Sequence, residues 1–375
     1  MRNKNGTRLI VAASDHDADM LYATKFWAGD PFIFLEQNGK RTVVLSDLEI
    51  GRGRRTAKAD EFVSFTKLEK ELQGKDQQPP AYEKVLGYFL QKRGVKRATV
   101  PANFPLGYAR ELANHDVDLA VTDDLFWPER DAKSDEEIKF ITHAIRITEI
   151  GLKRAMEVLK ASKPGPGKKL RWSGKPLTSE ILRAEIDGAI LRAGGVAMNT
   201  IVAGGDQACD PHERGSGPLF ANQLIILDVF PRDAKTGYWG DLTRTVVRGR
   251  ASEAQRKLWQ TVKAGQELAL KRIKAGADGL GIHQAIQKLF ADRGFPTEVR
   301  KGKNVGFFHG TGHGLGLDIH EHPRLQKVKL QDRQVVTVEP GLYYPGLGGV
   351  RIEDVVAVTK SGCKILSRFP KQLEI

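Results

Sequence analysis

Phe308-His-Gly-Thr-Gly-His-Gly-Leu-Gly-Leu-Asp-Ile-His-Glu-His-Pro323 is the stretch on which the reading of this sequence turns. Four of the nine histidines, His309, His313, His320 and His322, lie in it. A single histidine is ordinarily a packed or surface residue, whereas four so close together indicate chemistry. His309 and His313 have the i, i+4 spacing of a helical zinc motif. Gly310, Gly312, Gly314 and Gly316 make a helix costly there. The segment therefore reads as a glycine-rich strand or loop that lets a ligand or metal approach the backbone.

On either side of it, acidic residues interrupt strongly apolar runs. Asp228 sits in Leu224-Ile-Ile-Leu-Asp-Val-Phe230, Glu339 in Val335-Val-Thr-Val-Glu-Pro-Gly341, and Glu353 in Gly349-Val-Arg-Ile-Glu-Asp-Val-Val-Ala-Val358. An ionised carboxylate in such a run costs several kcal/mol unless a cation or an ion-pair partner compensates it. Asp241 is a fourth candidate, with Arg244 as its prospective partner. A salt bridge or a cap explains any one of these alone, but four beside a histidine cluster read as a metal centre. Oxygen ligands with a minority of imidazole favour Mn²⁺, with Co²⁺ or Zn²⁺ next, and neither Cys209 nor Cys363 sits in a ligand-spaced motif. Four carboxylates exceed the needs of one ion. Two ions roughly 3.5–4 Å apart, bridged by carboxylates and a hydroxide, would use them all, and that arrangement hydrolyses amides or phosphoesters.

The rest of the chain sets the frame. Its 375 residues are 40% hydrophobic and 28% charged, with a mean hydropathy of -0.37, which excludes a fibre or a disordered tail. The length favours two domains. No apolar run approaches the roughly 18 residues of a membrane span, and the polar, basic start is unlike a signal peptide. Two cysteines far apart fit a reducing compartment, so a cytoplasmic location is expected. Residues 1–130 carry 20 basic and 19 acidic side chains, leaving 39 and 27 of the chain's 59 and 46 for 131–375. These basic residues are scattered without interleaved aromatics, so a solvated basic surface is expected and a nucleic-acid groove is not.

Hydrophobic periodicity predicts an α/β first part, with strands over 8–13, 31–36, 42–46 and 99–101 and helices over 61–72 and 82–92. The boundary falls near 126–134. Ser134-Asp-Glu-Glu137 then opens a long helix to about 159 as a capping box. A loop over 163–175, helices over 178–193, 252–274 and 280–293, strands over 199–203, 223–230 and 239–247, and a β-rich end from Gly306 make the second part α+β.

The order Asp228, Asp241, His313, Glu339, Glu353, in the contexts Leu227-Asp-Val-Phe230, Gly240-Asp-Leu-Thr-Arg-Thr245, His309-Gly-Thr-Gly-His-Gly-Leu-Gly316, Val338-Glu-Pro-Gly341 and Arg351-Ile-Glu-Asp354, resembles the metal-dependent Xaa-Pro peptidases of the pita-bread fold. That family includes prolidase and aminopeptidase P and, more distantly, methionine aminopeptidase and creatinase. The resemblance is strong over most of 134–375 and weaker over the first part. It implies an α+β fold with a C-terminal pita-bread catalytic domain over 134–375 and a smaller N-terminal α/β domain over 1–128. The five residues would hold two divalent metal ions. His212, in Asp210-Pro-His-Glu213, matches the family's upstream substrate histidine, and His320 its downstream one. Arg351 matches an arginine that orients either the substrate or the ligand network.

Hydrolysis by a bridging hydroxide follows from that ligand set, and the resemblance implies that the bond cleaved is an Xaa-Pro peptide bond. Glu339 would take the water's proton and pass it to the leaving nitrogen, His320 would stabilise the oxyanion, His212 would position the substrate, and Arg351 could hold a carboxylate. Phe307, Phe308, Tyr343, Tyr344 and Trp239 could line a proline pocket or simply be core. A short chain leans toward an Xaa-Pro dipeptidase acting on dipeptides or short peptides, with an Xaa-Pro aminopeptidase as the alternative. A creatinase-like hydrolase without metal, or a non-catalytic binding module, would need eroded ligands, and all five are intact. The resemblance also implies a homodimer and a capping role for the first domain. One departure concerns the stretch between Asp228 and Asp241, which is longer than is usual in the family; residues 231–235 would absorb the excess in a wider turn.

Overall fold

The run Leu224–Val229, apolar but for Asp228, forms a strand buried on both faces. It pairs antiparallel with Leu242–Val247 on one side and Ile201–Gly204 on the other. Side chains alternate across a strand, so the two faces part company. Ile225, Leu227 and Val229, with Leu242 and Val246, pack on Leu152, Leu182, Ile186 and Ile190 of the helices Asp135–Ala161 and Ser179–Arg192. Asp228 and Thr243 therefore face away from those helices, and they are register partners.

A second sheet repeats the plan. Val335–Val338 pairs antiparallel with Asp354–Val358, and His313–Gly314 joins its other edge. Val336, Val338, Val356 and Val358 pack on Leu258, Val262, Ile286 and Phe290 of the helices Glu253–Arg272 and Gly279–Asp292. By the same alternation Thr337 and Glu339 face away from these helices, as do Arg351 and Glu353 on either side of the core residue Ile352. Thus each sheet has a helix pair over one face and polar residues on the other.

Local chemistry explains the helix starts. Ser134 and Ser252 each close a capping box, with Glu137 and Gln255, while Thr178 and Asp278 cap the other two helices. The long stretch after Asp228 closes as a turn in which Asp233 accepts from the Lys235 backbone and the Thr236 hydroxyl, and Gly237 takes φ 80. The extra length leaves the hairpin register unbroken from Leu224↔Val247 to Val229↔Leu242.

The computed structural model describes residues 6–74, 78–122 and 125–375; the polar start over 1–5 lies outside them. The chain divides into two compact units, Met1–Pro128 and Glu129–Ile375. The first holds a six-stranded mixed sheet in the order Glu61–Ser64, Lys40–Leu45, Phe32–Gln37, Arg8–Ala12, Arg97–Val100, Asp118–Val121. Val85, Leu86, Phe89 and Leu90 of the helix Tyr82–Lys92 pack against it. Two expectations are corrected. The helix expected over 61–72 begins only at Phe65, because Glu61–Ser64 pairs parallel with Lys40–Leu45 and Ser64 then caps the helix. The expected loop over 163–175 folds into a small three-stranded antiparallel sheet. The helices Ala18–Thr24, Ile50–Thr56 and Leu106–Asn114 were not read from sequence. No helix among the described residues is long and apolar enough to cross a membrane.

Candidate metal centre

The two inner faces bring the acidic residues together. Asp241, His313 and Glu353 each offer a ligand atom within 4.8 Å of the others, and all three are buried. Thr243 Oγ1 lies 2.9 Å from Asp228 Oδ1 and 2.8 Å from Glu353 Oε2. A hydroxyl carries one hydrogen, so it can satisfy only one of these carboxylates at a time. Glu339 Oε1 lies 3.4 Å from His313 Nε2 and accepts from Thr337 Oγ1 at 3.2 Å.

The electrostatics of this arrangement call for a cation. His313 Nδ1 faces its neighbour's carbonyl, Gly314 O, at 3.0 Å and donates to it, so Nε2 carries the lone pair. That nitrogen faces Asp241 Oδ2 at 3.7 Å and Glu339 Oε1 at 3.4 Å. Burial, then His320, holds the imidazole's pKa at about 3, so it is neutral, the form that binds metal. A lone pair turned toward two carboxylate oxygens is repulsive unless something positive lies between them. Burial, then the neighbouring carboxylates, pushes Asp241 and Glu353 well above the usual carboxylate range. Glu353 Oε1 is moreover buried without a hydrogen-bond partner among the described residues. Oxygen donors in excess, one neutral imidazole and an unsatisfied carboxylate oxygen fit divalent cations.

Arg351 is buried, with Nη2 on Asp228 Oδ2 at 2.7 Å and Nη1 on Tyr343 Oη at 3.0 Å. Of its two expected roles, these contacts agree with the one in the ligand network. The contact of Tyr343 Oη with His309 Nε2 at 2.9 Å extends the chain. His309 Nδ1 lies 2.8 Å from Gly310 O, so Nε2 is the acceptor and Tyr343 donates to it. Burial, then Arg351, holds His309 at about 3, with His283 and His212 adding smaller effects. The ring of His320 stands 4.4 Å from that of His313, nearly perpendicular to it. His212 is exposed on a turn where its backbone N–H donates to Asp210 Oδ1 at 3.2 Å.

Other expectations change. Arg244 does not partner Asp241: its Nη2 lies 2.9 Å from Asp354 Oδ1, because residues three apart on a strand face opposite sides. At the glycines of this stretch, protein fills the space a side chain would take. A Cβ on Gly312 would lie 1.9 Å from Thr337 O, and one on Gly314 2.1 Å from His322 O. Phe307 and Tyr344 belong to the core, and Trp239 Nε1 donates to Leu317 O at 3.1 Å. Sequence reasoning had His309 in the histidine cluster without a partner and Tyr343 only among prospective pocket residues, and it gave Thr243 and Thr337 no place in the centre. Thr243 and Thr337 each lie two residues from an acidic candidate, and that same-face spacing was the available signal.

Paired sheets that turn buried carboxylates and an imidazole toward one point make a candidate metal centre of the kind that metal-dependent hydrolases use. The sequence profile of metallopeptidase family M24 matches residues 139–360, and the chain belongs to that family. Over 301 residues it is 28% identical to the Xaa-Pro dipeptidase of Pyrococcus horikoshii, covering 78% of this chain and 79% of that one. In structure it resembles the prolidase of Pyrococcus furiosus (TM-score 0.79, 23% identity, 98% of both chains). It also resembles the X-Pro aminopeptidase of Thermotoga maritima (TM-score 0.81, 24% identity, 99% of this chain and 98% of that one). These two share its fold, the pita-bread fold with an N-terminal α/β unit.

Proposed function

We propose that this metallopeptidase is an Xaa-Pro dipeptidase whose Asp228, Asp241, His313, Glu339 and Glu353 hold two divalent ions, with Mn²⁺ the first candidate. The observation that carries this is His313 Nε2 presented to Asp241 and Glu339 beside the unsatisfied Glu353 Oε1. When bound, such ions lower the pKa of a water and polarise the scissile carbonyl.

The chain's own residues supply the remainder. Glu339 has one oxygen tied to Thr337, and the other would accept the attacking water's proton and deliver it to the proline nitrogen. That nitrogen carries no hydrogen, so it must gain one to leave. His320 would donate to the oxyanion as the carbonyl becomes tetrahedral, and His212 would position the substrate. Arg351 and Thr243 would hold Asp228 and Glu353 in place.

Kinship with a named Xaa-Pro dipeptidase along most of its length supports the substrate class. A second reading, an Xaa-Pro aminopeptidase on longer peptides, draws on the fold shared with the X-Pro aminopeptidase of Thermotoga maritima. A panel of Xaa-Pro dipeptides and Xaa-Pro-Xaa tripeptides decides between them. Cleavage of dipeptides with tripeptides spared supports the dipeptidase, the reverse supports the aminopeptidase, and no Mn²⁺-dependent cleavage of either removes both. A homodimer and a cytoplasmic location complete the proposal, resting on the family resemblance and on the two separate cysteines.

A further inference from the structure

Residues 129–134 read in sequence only as a boundary, yet they bury two cations. The Arg130 side chain is 7% exposed and that of Lys133 2%, and both end on the carboxylate of Glu321, itself 6% exposed. Arg130 Nη2 lies 2.7 Å from Glu321 Oε2 and 2.7 Å from Asp318 Oδ2. Lys133 Nζ donates to Glu321 Oε1 and to the Arg130 carbonyl. One residue further along, Asp131 Oδ1 meets His322 Nδ1 at 2.8 Å, and Gln334 Nε2 donates to both Asp131 oxygens.

These ties grip residues 318, 321 and 322, on both sides of His320, and leave His320 itself exposed. His320 is the residue immediately before the strand Glu321–Arg324, so anchoring Glu321, with Asp318 two residues to the other side, restricts where the imidazole between them can point. Glu321 lies hard against the loop: a Cβ on Gly316 would stand 2.4 Å from its Oε1. Buried ion clusters contribute weakly to stability, because desolvation offsets much of the attraction, and their better-attested use is to specify one geometry. A group that meets developing charge needs such a geometry, held to within about half an ångström.

We propose that Arg130 and Lys133, acting through Glu321, are positioning residues that hold His320 where it meets the reacting carbonyl. This rests on the role given to His320 under the proposed function.

A double-mutant cycle on the Mn²⁺-loaded full-length enzyme tests both separately. Lys133→Met should lower kcat about tenfold with bound metal unchanged, and Lys133→Arg should restore much of it. In a His320→Ala background, Lys133→Met should cost less than about twofold more. An equal loss in both backgrounds, or a folded Lys133→Met with full kcat, overturns the positioning role while His320 keeps its own. A His320→Ala enzyme with full kcat overturns the role of His320 and this inference with it. If Lys133→Met does not fold, Arg130→Lys, which keeps the charge and gives up the planar fork, takes its place in the cycle: a loss that vanishes in the His320→Ala background supports the positioning role, and an equal loss in both backgrounds overturns it.

Discussion

Arg351 Nη2 sits 2.7 Å from Asp228 Oδ2, and its other amino group is held by Tyr343, so one guanidinium fixes a carboxylate of the candidate metal centre. Groups that hold metal ligands in this way are worth about 10–100-fold in metal affinity or activity. Arg351→Lys, which cannot span both partners, should therefore weaken Mn²⁺ binding or turnover by that factor. Titrating activity against free Mn²⁺ measures it; an unchanged curve would show that the fork is dispensable.

Asp241→Asn and Glu339→Gln should each lower kcat by at least about 10³-fold, since each removes a group that acts with its neighbours as a unit. Without metal the same changes relieve repulsion, because Asp241 is driven up by burial and then by Glu353, Asp228 and Glu339. Denaturation in the presence of a chelator should thus find Asp241→Asn at least as stable as the parent. A clear destabilisation there would contradict the crowding of negative charge.

Metal should stabilise the fold by mass action. At about 100 times its Kd, an ion bound only by the folded state adds about 2.7 kcal/mol. The thermal midpoint should rise with added Mn²⁺ and fall with chelator in the parent, and respond far less in Glu353→Gln. Equal responses in the two proteins would place the ion elsewhere.

Asp354 gives a pH dependence away from turnover. Burial alone would raise its pKa, but Arg244 and then Lys371 more than offset this and hold it below the usual 3.8. A depressed folded value means that its stabilising contribution is present above the unfolded pKa and is lost as pH falls through the folded one. From about pH 5 to about pH 2 the parent should lose more unfolding free energy than Asp354→Asn. Parallel losses in urea titrations would remove Asp354 from the acid response.

Much of the plan was legible because it is local. Apolar runs long enough to be buried on both faces marked the strands around Asp228, Glu339 and Glu353, and a charge inside each run signalled chemistry. Ser134 and Glu137 marked a helix start because a cap is satisfied within one turn. The strand Glu61–Ser64 was hidden, since its pairing with Lys40–Leu45 is not written in its own four residues.

Residue types, their order and their spacing thus determined which side chains could serve a metal and in which half of the chain they lie. Only tertiary structure decided which of them meet: Arg244 turned to Asp354, Tyr343 came between His309 and Arg351, and the segment after Pro128 closed on Glu321. The physical reason is range. Strand alternation and capping act within a few residues, whereas the partner of a buried charge is chosen by whatever the packed sheets and helices bring within hydrogen-bond distance.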